Sequence, residues 1–299
     1  MAIRAAAIVE APDVQNYDAP RPYKLSRVGV RHVKKLVKVH RPGQDAHDVT
    51  AVFDLFVDLP ATQKGTHMSR NLEALADVLD EEIVDREARS LENLCARLVE
   101  RLLEKHDYAE TAQVIARGDF FLNRKNPGGK DTLESYGIRA CAEAVRGQPV
   151  RRRLGVEVIG ATACPCAMET ARAKFSEKGI DIPEDVPFIT HNQRNIVTLD
   201  LELPAESDVD AKELVDLVEA SLSAPTHGLL KRGDEGDLVI QSHHNPKFVE
   251  DVVREVLHKV AALEFPAHHT VFCSSEAEES IHKHNAFAER TTTFGEIEN

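Results

Sequence analysis

The sequence predicts an α+β fold in which antiparallel sheets are covered on one face by helices. Three observations predict it. Residues 49–59 alternate apolar and polar side chains, the period of a half-buried strand. Residues 91–102 repeat leucine at helical spacing. The order strand, strand, helix, helix, strand, strand can be read once in each half of the chain, with an insertion in the second. At 299 residues the chain suits one large domain or two modules of about 150 residues. The repeated order favours an arm at 1–26, a first ββααββ-like module at 27–149 and a second at 150–299.

Residues 1–23 hold several prolines and little periodicity, which predicts a loosely held arm. Val28, Val30, Val33, Leu36, Val37 and Val39 predict a strand with one irregularity. Val49, Ala51, Phe53, Leu55, Val57 and Leu59, set against Thr50, Asp54 and Asp58, predict its partner. Ser69 or Asn71 can cap a helix carrying Leu72, Leu75, Leu79 and Ile83 on one face, and Leu91, Leu94, Leu98 and Leu102 mark a second. Strand patterns return near 112–121 and 135–145. In the second half, 154–159 and the alternating Val197, Leu199, Leu201 and Leu203 predict strands. Leu214, Leu217, Val218 and Leu222 form a helix face, with Ser207 and Asp208 as candidate caps. Asn245 and Pro246 have the chemistry of an N-cap and first turn for a helix with Phe248, Val249, Val252, Val256 and Val260 on its core face. Residues 270–273 predict a closing strand.

The chain has 37 lysines and arginines against 50 aspartates and glutamates, a formal net charge of −13. That balance argues against a nucleic-acid-binding surface and requires a local basic pocket for any polyanionic ligand. Five cysteines, an odd number in a chain this large, suggest no disulfide framework and point to a reducing cytoplasm. The apolar start is too short for a signal or membrane segment, and no later stretch is long enough to span a bilayer.

Four clusters carry possible chemistry. In the first, 160–194, Cys164 and Cys166 flank Pro165, which stiffens the segment and biases Cys164 toward an extended backbone, and His191 follows before a strand. Thiolate and imidazole suit zinc or ferrous iron, although Cys-x-Cys without a second pair also fits two ordinary buried cysteines. In the second, 64–70, Lys64, His67 and Arg70 converge on a helix start, a place that binds phosphate or is simply solvated. The third, 229–235, reads as a loop between helices that offers Lys231, Arg232 and Glu235, or an ordinary turn. The fourth, 279–285, holds Glu279, His282 and His284, with the histidines spaced like strand neighbours that could act as acid and base.

Read together, the Gly-x-Thr-x-Cys-Pro-Cys block, His-Asn-Gln-Arg, Leu-Leu-Lys-Arg-x-Asp-Glu, Asn-Pro-Lys-Phe-Val-Glu-Asp, Glu-Ser-Ile-His-x-His and Lys-Gly-x-x-Met-Ser-Arg-Asn resemble the type IB GTP cyclohydrolase family. Ala167 after the second cysteine resembles its archaeal, MptA-type branch. The resemblance implies a tunnelling fold assembled as a homotetramer with active sites at subunit interfaces. It implies Cys164, His191 and Glu235 as ligands of a metal, Fe(II) foremost with Zn or Mn possible in the same site. It implies Glu250 as the anchor of the guanine ring, since a carboxylate accepts from both N1–H and the exocyclic amine. His282, His284 and Glu279 resemble the acid-base partners, and Lys64, His67, Arg70, Arg194, Lys231 and Arg232 are candidates for the triphosphate. The reaction so implied opens the imidazole ring of GTP, releases formate and gives 7,8-dihydroneopterin 2',3'-cyclic phosphate in pterin biosynthesis for methanopterin or folate. The alternatives are the dihydroneopterin triphosphate made by bacterial relatives, or a non-catalytic purine- or pterin-binding protein of the same fold.

Overall fold

Alternation in the sequence builds the first strand pair. β1 (Leu25–Val39) and β2 (His47–Leu59) run antiparallel, and the pleat of β2 sends Val49, Ala51, Phe53, Leu55, Val57 and Leu59 into the core. Asp54 and Asp58 take the other face, where Arg117 and Lys24 pair with them. The predicted irregularity in β1 is a register shift between Val30 and Val33, with His32 at φ 61° and its amide donating to Asp54 Oδ1 at 2.9 Å. The computed structural model describes residues 12–39, 47–85, 90–183, 185–205, 207 and 209–297, and the side chains of all of these except 47, 48 and 82–85.

α1 (Met68–Asp85) and α2 (Leu91–Lys105) cover the core face. Leu91, Leu94, Leu98 and Leu102 are buried as their spacing predicts, and truncating one such leucine to alanine costs about 2–5 kcal/mol. α1 differs from its predicted face. Its buried stripe is Asn71, Ala74, Leu75 and Val78, whereas Leu72 is exposed and the Ile83 side chain lies outside those described. Ser69 and Asn71 sit inside the helix and cap nothing. β3 (Thr111–Lys125) and β4 (Asp131–Val145) complete the first half, each longer than predicted because their polar ends pair with each other in a hairpin.

The second half joins the same sheet. β5 (Arg151–Ala163) pairs with β4 on one side and with β6 (Asn192–Leu203) on the other, and α3 (Pro165–Ser176) lies between β5 and β6 in the chain. After β6 come α4 (Ala211–Glu219), the short β7 (Ala224–Pro225), α5 (Arg232–His244) and α6 (Val249–Val260). β8 (Thr270–Ala277), β9 (Ala286–Thr293) and the single turn α7 (Phe294–Ile297) close the chain. The nine strands among the described residues, all antiparallel, follow the order β1-β2-β3-β4-β5-β6-β8-β9, with β7 on β5. β4 leaves β5 after the Gly137–Glu157 pair, and β7 takes its place at Gly160 and Ala161.

Several predicted boundaries shift. The cap of α4 is Asp210, accepting from the Lys212 amide at 2.9 Å; Ser207 does not cap, and Asp208 lies outside the described residues. Asn245 ends α5 rather than starting α6, whose first residue is Val249. Residues 231–235 belong to the start of α5, not to a loop. α5 escapes periodicity because it buries only Asp234 and Ser242. The arm is tied down where it is described: Ala19 donates to Thr62 O, Lys64 to Tyr17 O and Gly65 to Gln15 O. Among the described residues no helix is long and apolar enough to cross a membrane.

Candidate active site

Strand register decides which sequence-distant residues meet. The β5–β6 ladder runs to the pair Ala163–Asn192, so the next residues outward, Cys164 and His191, face each other. The Cys164 amide donates to His191 O at 3.0 Å, and Thr190 Oγ1 donates to Cys164 O at 2.7 Å. Cys164 is the N-cap of α3 in an extended backbone (φ −75°, ψ 116°), Pro165 opens the helix, and the Cys164 sulfur accepts from the Ala167 amide at 3.4 Å. Arg172 folds the excursion between them back on itself by donating to the carbonyls of Ile182, Pro183 and Val186.

A cavity of about 380 Å³ opens at this end of the sheet, lined by Cys164, Cys166, His191, Gln193, Glu250, Glu279, His282 and His284 among others. His282 and His284 lie on the turn between β8 and β9 rather than in a strand, and their rings stack at 5.1 Å and 19°. His282 meets His191 edge to face at 6.3 Å. Glu250 stands in the first turn of α6, where the helix dipole favours a carboxylate. The first half of the chain supplies none of these groups.

Gln193 organises the interior of the cavity. Its amide nitrogen donates to Thr162 Oγ1 at 3.3 Å and Glu279 Oε1 at 3.4 Å, which turns its oxygen toward His191 Nδ1 at 2.9 Å. An acceptor at Nδ1 puts the proton there and leaves a lone pair on Nε2. Among the described residues Glu279 Oε2 is buried without a hydrogen-bond partner, 3.4 Å from His191 Nδ1. Buried carboxylate oxygens are costly to leave unbonded, and such exceptions collect at reactive sites. The sequence offered Gln193 only as part of the His-Asn-Gln-Arg block; its position two residues after His191 was the available signal. Thr162, Lys247 and Phe248, which also line the cavity, were missed.

The other cysteines differ in kind. Burial pushes the Cys141 and Cys273 thiols up to about 11 and about 12 and raises Cys95 well above its ordinary value. Cys166 is exposed at the rim of the cavity.

The remaining predicted site residues do not reach this cavity within one chain. Glu235 is exposed in the first turn of α5, about 14 Å along the helix axis before His244. Its neighbour Asp234 packs against Gly128 of the β3–β4 hairpin, where Asn126 also donates to Leu229 O at 3.1 Å. Lys231 and Arg232 share that exposed position. Lys64, His67 and Arg70 lie beyond Leu59, at the strand ends opposite the cavity, about 40 Å away along β5. Arg194 is near the cavity but pairs with Glu278 at 3.0 Å. Among the described residues no three His, Cys, Asp or Glu side chains cluster as a metal site. Cys164 and His191 fit a borderline divalent ion by donor chemistry, and one chain falls short of three ligands.

Solved structures share the architecture. A uricase from Arthrobacter globiformis matches with a TM-score of 0.56 at 10% identity over 90% of this chain and 93% of that one. A uricase from Bacillus fastidious matches with a TM-score of 0.52 at 10% identity over 91% and 94%. The fold is therefore the tunnelling fold. The family model for type I GTP cyclohydrolase folE2 matches residues 11–288. GTP cyclohydrolase MptA of Methanothermobacter thermautotrophicus is 41% identical over 96% of this chain and 94% of its own length, and that of Methanocaldococcus jannaschii is 39% identical over 95% and 96%. The chain belongs to the type I GTP cyclohydrolase folE2 family.

Proposed function

We propose that this GTP cyclohydrolase of pterin biosynthesis is a metal-dependent enzyme of the type IB, MptA-type branch, and that its product is 7,8-dihydroneopterin 2',3'-cyclic phosphate. The observation that carries the reading is the convergence of Cys164, His191, Glu279, His282, His284 and Glu250 on one cavity. Cys164 and His191 hold the metal, Fe(II) foremost and Zn or Mn by the same donor set, and Glu235 is the third ligand. An ion so held supplies hydroxide from water at neutral pH.

This chain's own groups do the rest. Glu250 accepts from guanine N1–H and the exocyclic amine, which orients the ring and rejects adenine. His282 and His284 deliver protons to the ring nitrogens as the bonds to the expelled carbon break, and Glu279 holds His191 in place. Lys64, His67, Arg70, Arg194, Lys231 and Arg232 bind the triphosphate.

Because Glu235 and the 64–70 segment lie away from the cavity in one chain, a homotetramer with sites between subunits supports the full set. The charged, helix-free face of the sheet, with Lys34, Arg117, Arg139, Glu157 and Asp200 around a second cavity, fits a surface enclosed by assembly. A cytoplasmic location agrees with the cysteine usage. The test is formate release from GTP with Fe(II) under anaerobic conditions, comparing wild type with Cys164→Ala. Equal release by both refutes the metal-dependent mechanism. Mass spectrometry of the product decides between cyclic phosphate and triphosphate.

A further inference from the structure

A buried polar chain joins the core to the 64–70 segment, and its direction can be read atom by atom. The Asn71 amide nitrogen donates to Leu55 O at 3.3 Å, so its Oδ1 is left to accept. His106, fully buried, meets that oxygen with Nε2 at 2.7 Å and must therefore donate there. Its other nitrogen, Nδ1, is then an acceptor in the neutral ring, and the Tyr108 hydroxyl, 2.9 Å away, donates to it. The Tyr108 oxygen in turn accepts from the Thr66 hydroxyl, with which it is in short contact. The β2 carbonyl thus orients the hydroxyl of Thr66 through three side chains, those of Asn71, His106 and Tyr108.

The same segment is gripped on its other flanks. Arg70 Nη1 donates to Lys105 O at 3.1 Å at the end of α2, His67 meets Asp13 at 2.8 Å, and the amides of Lys64 and Gly65 bond the arm. A solvated helix start needs none of this.

We propose that Tyr108 and His106 are positioning residues that hold Thr66, and with it Lys64 and Arg70, in the conformation that receives the substrate triphosphate. The inference rests on the reading that residues 64–70 contact the triphosphate. It concerns binding of the polyphosphate tail and leaves the ring-opening groups alone.

The test uses the full-length, Fe(II)-loaded enzyme, with steady-state GTP kinetics and with inorganic triphosphate and guanosine as separate competitive inhibitors. Tyr108→Phe and Thr66→Val each raise the KM for GTP and the Ki for inorganic triphosphate about three- to tenfold, the effect of one lost hydrogen bond. The guanosine Ki and kcat stay unchanged, and Thr66→Ser restores the wild-type values. An equal rise for guanosine, or no rise for triphosphate, overturns the proposal. Lys64→Ala and Arg70→Ala separate the two levels. If they raise the triphosphate Ki and Tyr108→Phe does not, the relay fails while the segment's role stands; if they leave it unmoved, both fail.

Discussion

His106 and His191 are both largely covered by protein, and they are covered differently. His106 has zero exposure and both ring nitrogens bonded to protein groups, and burial, with Arg70 and His67 nearby, pushes its pKa down to about 4. His191 has only Nδ1 engaged; among the described residues no hydrogen bond reaches Nε2, which belongs to the wall of a cavity. The contrast separates a histidine whose polar capacity is spent on the fold from one that keeps capacity for chemistry. Residue type alone would have ranked them alike.

The largest expected effect follows from that difference. His191→Ala should abolish formate release and metal binding while leaving Tm nearly unchanged, and a large drop in Tm would show that His191 too is structural. Next is Glu250→Gln, which should cut kcat/KM for GTP by about 10⁴-fold, as when a recognition hydrogen-bond pair is left unmatched. Metal content should not follow; loss of metal with retained GTP affinity would mean that Glu250 and Glu235 exchange roles.

The effect of His106 is on stability. The unfolded ring protonates near 6.5 and the folded ring only near 4, so the unfolded state binds more protons between these values and stability falls as pH drops through that window. The loss amounts to about 3 kcal/mol. Chemical denaturation of wild type and His106→Gln from pH 7 to 4 should show that limb flattened in the variant, and parallel curves would remove the assignment. The smallest effect belongs to Gln193→Ala. Losing the acceptor that fixes the His191 tautomer should weaken metal affinity roughly ten- to hundredfold, read by competition with a chelator.

Much of this was legible in the sequence where one periodicity dominates. β2 and α2 bury what their spacing requires, and the repeated element order becomes the sheet order β1 to β9. The failures have physical causes. α5 has little apolar face to read, β9 (Ala286–Thr293) is an edge strand of small and polar residues, and α1 hides a buried asparagine that only its partners His106 and Leu55 make affordable. Cys164, His191, Glu250, Glu279, His282 and His284 were found as separate motifs, and register brings them together. His106 and Tyr108 were invisible because a relay of hydrogen bonds has no spacing rule. Glu235 and the six candidate triphosphate residues were assigned to one site by resemblance, and a single chain does not gather them.

The hydrogen bond from the Cys164 amide to His191 is also the final rung of the β5–β6 ladder. Strand ends fray before strand centres, and closing a connection of this length costs about 3 kcal/mol in loop entropy. The thiol and the imidazole are therefore neighbours only while the sheet is zipped to its tip, so their encounter is a local folding equilibrium in its own right. The two side chains sit at the tip of the β5–β6 ladder.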